Sequence, residues 1–412
     1  MTGRPPAAAP FPRHRRVLAL SAAAALALGA AGCGSDDDAG AAPPTGEPVR
    51  VVHGPGDAET AAAAVVARHL TRAGHPVTLA DAPDAAAWSA AGGRTVAIVD
   101  TLTLALAADP EAVLPQEDPE EEAARASAVP TPSPATLEPI DPEAPPRVPA
   151  DPSATAAPPT ALADPDPAAD TEAVRAIVDA ALERTAAGGD LAAPPSASVS
   201  PPPSGAASSP SAAEDAPRVL SSSAGELRLA PILTSGTAAR LRLESVEDLN
   251  GRCADMAAAL PAALEEAPGG ERVRALLTAR LDAWAGCRPA EWAVQPDPAG
   301  PALLRDEVAL AIDHAVDPDV PPNGLVVLED GGRVLPAGRV AVVGSPGALD
   351  DGVEGVLQQV MAALDEDGLR DLARVTTGPD ALPADEAAQY WLVSEGLEEA
   401  PEDWVVPVDG WF

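Results

Sequence analysis

The hydrophobic pattern changes period several times along the chain. Val49 to His53 reads as a strand, ended by Gly54-Pro55-Gly56. Asp57 is a candidate N-cap for a helix running to about Ala73, because Ala62, Val65, Val66 and Leu70 fall on one face. Gly74 closes that helix, and residues 75–79 form the next predicted strand. A short helix is expected over 84–91 and a third strand over 94–99. This β-α-β-α-β order predicts a parallel sheet with helical crossovers.

Residues 109–225 break the pattern. They are mostly Pro, Ala, Ser, Asp and Glu, with an acidic run from Glu117 to Glu122 and a Ser-Pro-Pro-Pro-Ser stretch at 200–204. Such composition buries too little apolar surface to order itself, so a long disordered insertion is expected. One island departs from it. Val174, Ile177, Val178, Ala181 and Leu182 share a helical face, which predicts a helix near 170–187 stopped by Gly188-Gly189. Alternating order then resumes. Strands are predicted at 226–234, 307–312, 325–328 and 338–343. Helices are predicted at 245–260, 269–285, 351–365, 366–373 and 384–395, with a further one near 301–306. A tail over 401–412 holds Trp404, Trp411 and Phe412.

The N-terminus carries an address. Arg4, Arg13, Arg15 and Arg16 precede an apolar run from Val17 to Ala31, followed by Gly32 and Cys33. A basic region, a short apolar region and a small-residue step are the parts of a secretory signal. The Cys directly after Gly32 resembles a bacterial lipobox. That resemblance implies a lipoprotein signal peptide over 1–32, diacylation of Cys33 and a polar tether over 33–47. Two acyl chains suffice for stable anchoring. The expected location is the extracytoplasmic face of the cell membrane.

Composition narrows the chemistry. Lys plus Arg total 26 and Asp plus Glu 63, a net charge of −37, and all 26 cations are Arg. Without Lys there is no Schiff-base or P-loop Lys. So acidic a chain also disfavours a nucleic-acid partner. Aromatics are 2%, so the core must be built mostly of Ala, Val and Leu. With 412 residues there is room for more than one domain, but 49 Pro reduce the folded part. If Cys33 carries lipid, Cys253 and Cys287 remain, and an oxidising compartment favours a disulfide over two buried thiols. Such a bridge stabilises by about 3–4 kcal/mol in the chain-entropy model. No His pair accompanies these cysteines, so no metal site is expected. No G-x-S-x-G, His-x-x-Glu-His or Cys-x-x-Cys spacing occurs, and the expectation is a non-enzyme without a cofactor.

The C-terminal half resembles the substrate-binding proteins of quaternary-amine ABC transporters, the glycine betaine, choline and osmoprotectant group. The resemblance rests on Leu325-Val326-Val327-Leu328-Glu329-Asp330, on Val340-Ala341-Val342-Val343, on Asp365 to Leu372 and on Pro383 to Leu397. Ser245 to Leu249 and the Ala-Gly-His-Pro-Val step at 73–77 extend it. It implies an α/β, two-lobed periplasmic-binding-protein-like fold of type II. The first lobe combines 48–108 with 326–400, and the second holds 226–325. It also implies a small-molecule solute, and as partners an ABC permease and its ATPase.

A quaternary ammonium is held by aromatic rings in that family. The segment corresponding to its Tyr-rich motif here is Val99 to Ala105, where Thr103 matches and the Tyr positions hold no ring. The strand ends therefore become the candidate lining: His53, Asp57, Asp100, Thr101, Thr103, Thr234, Ser235, Asp313 and His314. Asp100 and Asp313 would hold a cation by charge. Trp88, Trp284 and Trp292 are expected in packing roles. A second possibility stays open: a degenerate binding-protein fold that no longer transports and acts as a cell-envelope interaction lipoprotein.

Overall fold

Two β-sheets with the same strand order organise the chain. The computed structural model describes residues 46–54, 56–82, 93–116, 166–189, 191, 216–265, 269–295, 300–317, 320, 323–331, 334–377, 381–402 and 404, all within one compact unit, Pro43–Phe412. The expected signal peptide, Cys33, the predicted helix at 84–91, Trp88 and most of the expected insertion lie outside these residues.

The first sheet contains β1 (Val49–His53), β2 (Val77–Asp81), β3 (Thr95–Asp100), β4 (Arg218–Ser222) and β11 (Val340–Gly344), in the order β2-β1-β3-β11-β4. β1, β2 and β3 are parallel, and β11 runs antiparallel between β3 and β4. The second sheet contains β5 (Leu227–Thr234), β6 (Ala257–Pro261), β7 (Glu291–Gln295), β8 (Leu310–His314) and β10 (Ala337–Gly338), with β9 (Leu325–Val327) added on β5. Read from its far edge, its order is β7-β6-β8-β5-β10. Three parallel strands, one antiparallel strand and a last strand thus recur in both sheets. Within the described residues the backbone crosses between them twice, at 223–226 and at Arg339. This is the two-crossing, two-lobed α/β fold of type II.

Burial explains the helices. α1 (Asp57–Arg72) covers one face of the first sheet with Ala61 to Val66 and Leu70. α9 (Asp351–Ala363), α10 (Glu366–Thr377) and α11 (Ala384–Ser394) complete that layer, and Trp391 Nε1 donates to the Gly368 carbonyl at 3.0 Å. α2 (Thr101–Ala108), α3 (Pro110–Val113) and α4 (Thr171–Ala186) cover the opposite face. α4 buries Val174, Val178, Ala181 and Leu182, the face read from its periodicity.

Several elements differ from expectation. Residues 245–260, expected as one helix, form a 3-10 turn at Val246–Leu249 and then β6. The Ala-Ala-Ala-Leu run carries no period, and its place between β7 and β8 makes it a fully buried strand. β4 lies inside the stretch assigned to the insertion. The second sheet reaches past residue 325, since β9 and β10 belong to it and the chain rejoins the first sheet only at Val340. The helices α2, α3, α5 (Ser235–Leu241) and α6 (Ala262–Glu265), together with β7, differ from the expected pattern, while α8 (Gly300–Leu304) stands where a helix near 301–306 is expected.

The crossings are sterically tight. A Cβ on Gly225 would stand 2.5 Å from the Asp365 carbonyl carbon, and one on Gly338 would stand 2.6 Å from Leu102 Cβ. Away from the crossings, Cys253 and Cys287 form the expected disulfide, with Cα atoms 5.1 Å apart. It ties the loop before β6 to the end of α7 (Gly270–Ala285).

Arg280 of α7 makes a second tie between the lobes. Only 2% exposed, it donates from Nε to the Val334 carbonyl at 2.8 Å, from Nη1 to Pro115 at 2.6 Å and from Nη2 to Asp166 at 3.1 Å. Pro115 and Asp166 flank the 117–165 stretch, so one guanidinium clasps both sides of it to the second lobe. Burial pushes its pKa down to about 10, a drop opposed by the nearby Asp166 charge. It therefore remains charged near neutrality. Replacing Arg280 by Met strips the donors from three carbonyls, each worth about 1–3 kcal/mol when left dry. Urea denaturation is expected to show a loss of about 2–4 kcal/mol, whereas an unchanged midpoint would contradict the clasp.

Candidate functional site

Parallel strands expose their carboxyl ends along one edge of each sheet, where α/β folds bind ligands. In the first sheet those ends are His53, Asp81 and Asp100. In the second they are Pro261, Gln295 and His314. Asp100 and His314 occupy matching places: each ends the third parallel strand, opposite Val340 of β11 and Leu229 of β5 respectively. They face one another across the lobes, with His314 Nε2 3.8 Å from Asp100 Oδ2.

Local structure holds Asp100 still. As N-cap of α2 it accepts the Leu102 N–H on Oδ1 at 2.8 Å and the Thr103 hydroxyl on Oδ2 at 2.6 Å. Its own N–H donates to Glu59 Oε1 at 2.6 Å. Glu59, in the first turn of α1, also accepts the Gly56 N–H at 3.0 Å. Burial, and next the Asp100 charge, raise the Glu59 pKa from 4.5 to about 7 against the pull of these two N–H groups. Across the gap, Asp313 is 5% exposed and accepts the His314 N–H on Oδ1 at 2.7 Å. Among the described residues, His314 Nδ1 has no hydrogen-bond partner.

The remaining expected residues take different places. His53 is buried, with Nδ1 2.8 Å from the Gly54 carbonyl and Nε2 3.2 Å from Asp81 Oδ1. Asp57 opens α1 on the surface, its carboxyl raised above the ordinary range by partial desolvation. Thr101 belongs to the crossing rather than to a pocket: its N–H and hydroxyl both donate to the Arg339 carbonyl at 3.0 Å, and its Oγ1 accepts the Arg339 N–H at 2.8 Å. Thr234 and Ser235 lie at the other end of the second sheet. β5 is antiparallel to β8, and Thr234 is five residues beyond Leu229, the partner of His314, a displacement of about 17 Å. There Thr234 Oγ1 accepts the Thr237 N–H at 3.2 Å and caps α5.

The sequence reading missed the groups around the crossing. Arg339 donates to the Ser223 and Ala224 carbonyls at 2.7 and 2.9 Å. Glu226 lies 3.7 Å from Arg339 and 2.8 Å from Arg228. Glu59 was missed as well, although a Glu three residues into a helix is the spacing that reaches back to the N-cap. Trp284 and Trp292 pack against the core, the role expected of them. Tyr390 pairs with Trp404 at 6.1 Å between centroids, on α11. Among the described residues, no three His, Cys, Asp or Glu side chains form a metal-binding group, and no helix is long and apolar enough to cross a membrane.

The arrangement offers a desolvated carboxylate and an imidazole on separate lobes, with further acids behind them. That is electrostatically suited to a small cation. No protein-family model matches the chain. No curated protein matches it either. Among solved structures, it is similar to a glycine betaine/carnitine/choline ABC transporter structure at 11% identity, covering 85% of this chain and 99% of that one, with a TM-score of 0.48. Apo YehZ from Escherichia coli is similar at 14% identity, 86% and 100% coverage and a TM-score of 0.47. Lactococcal OpuAC, closed on glycine betaine, is similar at 10% identity, 85% and 97% coverage and a TM-score of 0.42.

The Glu59 carboxyl gives a pH prediction. With a folded pKa of about 7 against 4.5, the folded state binds this proton more tightly than the unfolded chain. Its stabilising contribution is therefore full below about pH 4.5 and is lost as pH rises through 7, by about 3 kcal/mol. Denaturation of the wild type and of Glu59→Gln at pH 4.5 and 7.5 should show the difference moving in the variant's favour by about that amount. A pH-independent difference contradicts the assignment.

Proposed function

We propose that this chain is the extracytoplasmic solute-binding lipoprotein of an ABC importer, taking a small cationic or zwitterionic amine, quaternary amines included. The observation that carries the reading is the facing of Asp100 and His314 from matching strand ends of two lobes joined by two crossings. A solute between them contacts both lobes only when they are closed, so binding shifts the population toward the closed form. The closed form then delivers the solute to a permease driven by its ATPase. The reading assigns no catalytic step. Thr103 and Asp313, bonded to Asp100 and to the His314 N–H, remain candidates beside the pair.

Calorimetric titration of the detergent-solubilised full chain with glycine betaine, choline, carnitine and proline betaine tests it. Micromolar binding of at least one of these or of the corresponding N–H amines is expected. Absence of heat from a folded sample across that panel and the corresponding N–H amines overturns the reading.

Lipid anchoring through Cys33 is part of the same proposal. Replacing Cys33 by Ser should move the protein from the membrane fraction to the soluble fraction and abolish labelling by a fatty-acid analogue. Retention of label would place the lipid elsewhere.

One observation favours the second reading, a non-transport cell-envelope interaction protein. A single hydrophobic core runs from the first sheet through α2 and α4 to α7 and the second sheet, and the Arg280 clasp adds to it. Both resist lobe separation. This reading takes first place if the titrations give no heat.

A further inference from the structure

The Asp100–His314 pair also bears on which cation is taken, given the solute-binding reading above. We infer that the site selects cations carrying N–H donors, such as a primary or secondary ammonium, over their fully methylated counterparts.

Asp100 presents a directed acceptor. Oδ1 is used by the Leu102 N–H and Oδ2 by the Thr103 hydroxyl, so the carboxylate plane is locked. A carboxylate oxygen accepts more than one hydrogen bond, and Oδ2 is the oxygen facing His314. The two side chains are 10% and 26% exposed. Their 3.8 Å separation is too long for a hydrogen bond. His314 Nε2 is the nitrogen that faces Asp100, and it is the acceptor of the neutral ring in the tautomer with the proton on Nδ1.

Geometry then discriminates. One tetrahedral nitrogen making two hydrogen bonds of about 2.9 Å spans acceptors about 4.7 Å apart. The lobes need to part by only about 1 Å from the observed 3.8 Å. A quaternary nitrogen keeps each acceptor about 4 Å away behind its methyl groups, which spreads them to about 6–7 Å. It also gives the desolvated Asp100 no donor. Sites built to hydrogen-bond an N–H reject the analogue that lacks it by large factors. Behind the pair, Glu59, with a pKa of about 7, carries part of a negative charge near neutrality, which favours cations over neutral amides.

The test is a methylation series on the detergent-solubilised full chain: ethanolamine, N-methylethanolamine, N,N-dimethylethanolamine and choline. These keep one charge and one hydroxyl while the N–H count falls from about three to none. Titration calorimetry is expected to show affinity falling along the series, with ethanolamine at least tenfold tighter than choline. Asp100→Asn keeps an oxygen to cap α2 and removes the charge, and should lower ethanolamine affinity at least tenfold. Choline binding as tightly as ethanolamine overturns the inference and leaves the solute-binding reading intact, as does heat from glycine betaine with none from ethanolamine. Ethanolamine affinity unchanged in a folded Asp100→Asn protein overturns the site. No heat from any amine in either panel overturns the underlying reading itself.

Discussion

Where the chain returns from the second sheet to the first, a single residue, Arg339, separates β10 from β11. Its backbone N–H and carbonyl are both bonded by Thr101, the residue immediately after Asp100. That exchange ties the end of β3 to the crossing, and much of the site's geometry follows from it. Asp100 cannot drift from its place opposite Val340, and the N-terminus of α2 is set against Gly338, where no side chain fits. The same Arg339 reaches the Ser223 and Ala224 carbonyls of the other crossing. The two connections between lobes therefore act as one bonded unit rather than as two independent strands.

The second constraint is the buried Arg280. A chain with no Lys has one kind of cation for burial, and it is the kind that suits this position. A guanidinium holds its proton even when desolvated and spreads its donors in a plane, here toward three carbonyls from three segments. The lobes are consequently joined at two separated places, the crossings and the clasp. The clasp opposes wide parting of the lobes, and the parting of about 1 Å inferred for an N–H cation is compatible with it.

Electrostatics around Asp100 show how the fold and the candidate site share groups. Glu59 is buried to hold the Asp100 and Gly56 N–H groups, and it lies close enough to Asp100 for its proton affinity to rise. The carboxylate facing the opposite lobe is thus backed by a second acid that folding needs for backbone bonds. With a pKa of about 7, that second acid is about half charged near neutrality, so the negative potential beside Asp100 grows as pH rises.

Part of this was legible in the sequence. The period-3.6 faces of α1 and α4, the strand runs of β1 and β3 and the parity of Cys253 and Cys287 each depend on neighbours along the chain or on simple counting. Asp100 and His314 could be picked out as strand-end residues because parallel strands put chemistry at their carboxyl ends. The period of Ala257 to Leu260 could not be read, since a fully buried strand and a buried helix share one apolar pattern. Thr234 and Ser235 were placed in the pocket for the same kind of reason. Strand direction within a sheet is not a local property, and β5 enters antiparallel, which sends its end away from His314. The burial of Arg280, the Glu59 bonds and the pairing of Thr101 with Arg339 join residues tens to hundreds of positions apart. Local hydrophobic periodicity determined the buried faces of α1 and α4 and the runs of β1 and β3; only the packing of two sheets decided how the aperiodic segments fold and which polar groups lost water together, because both depend on partners far apart in the chain.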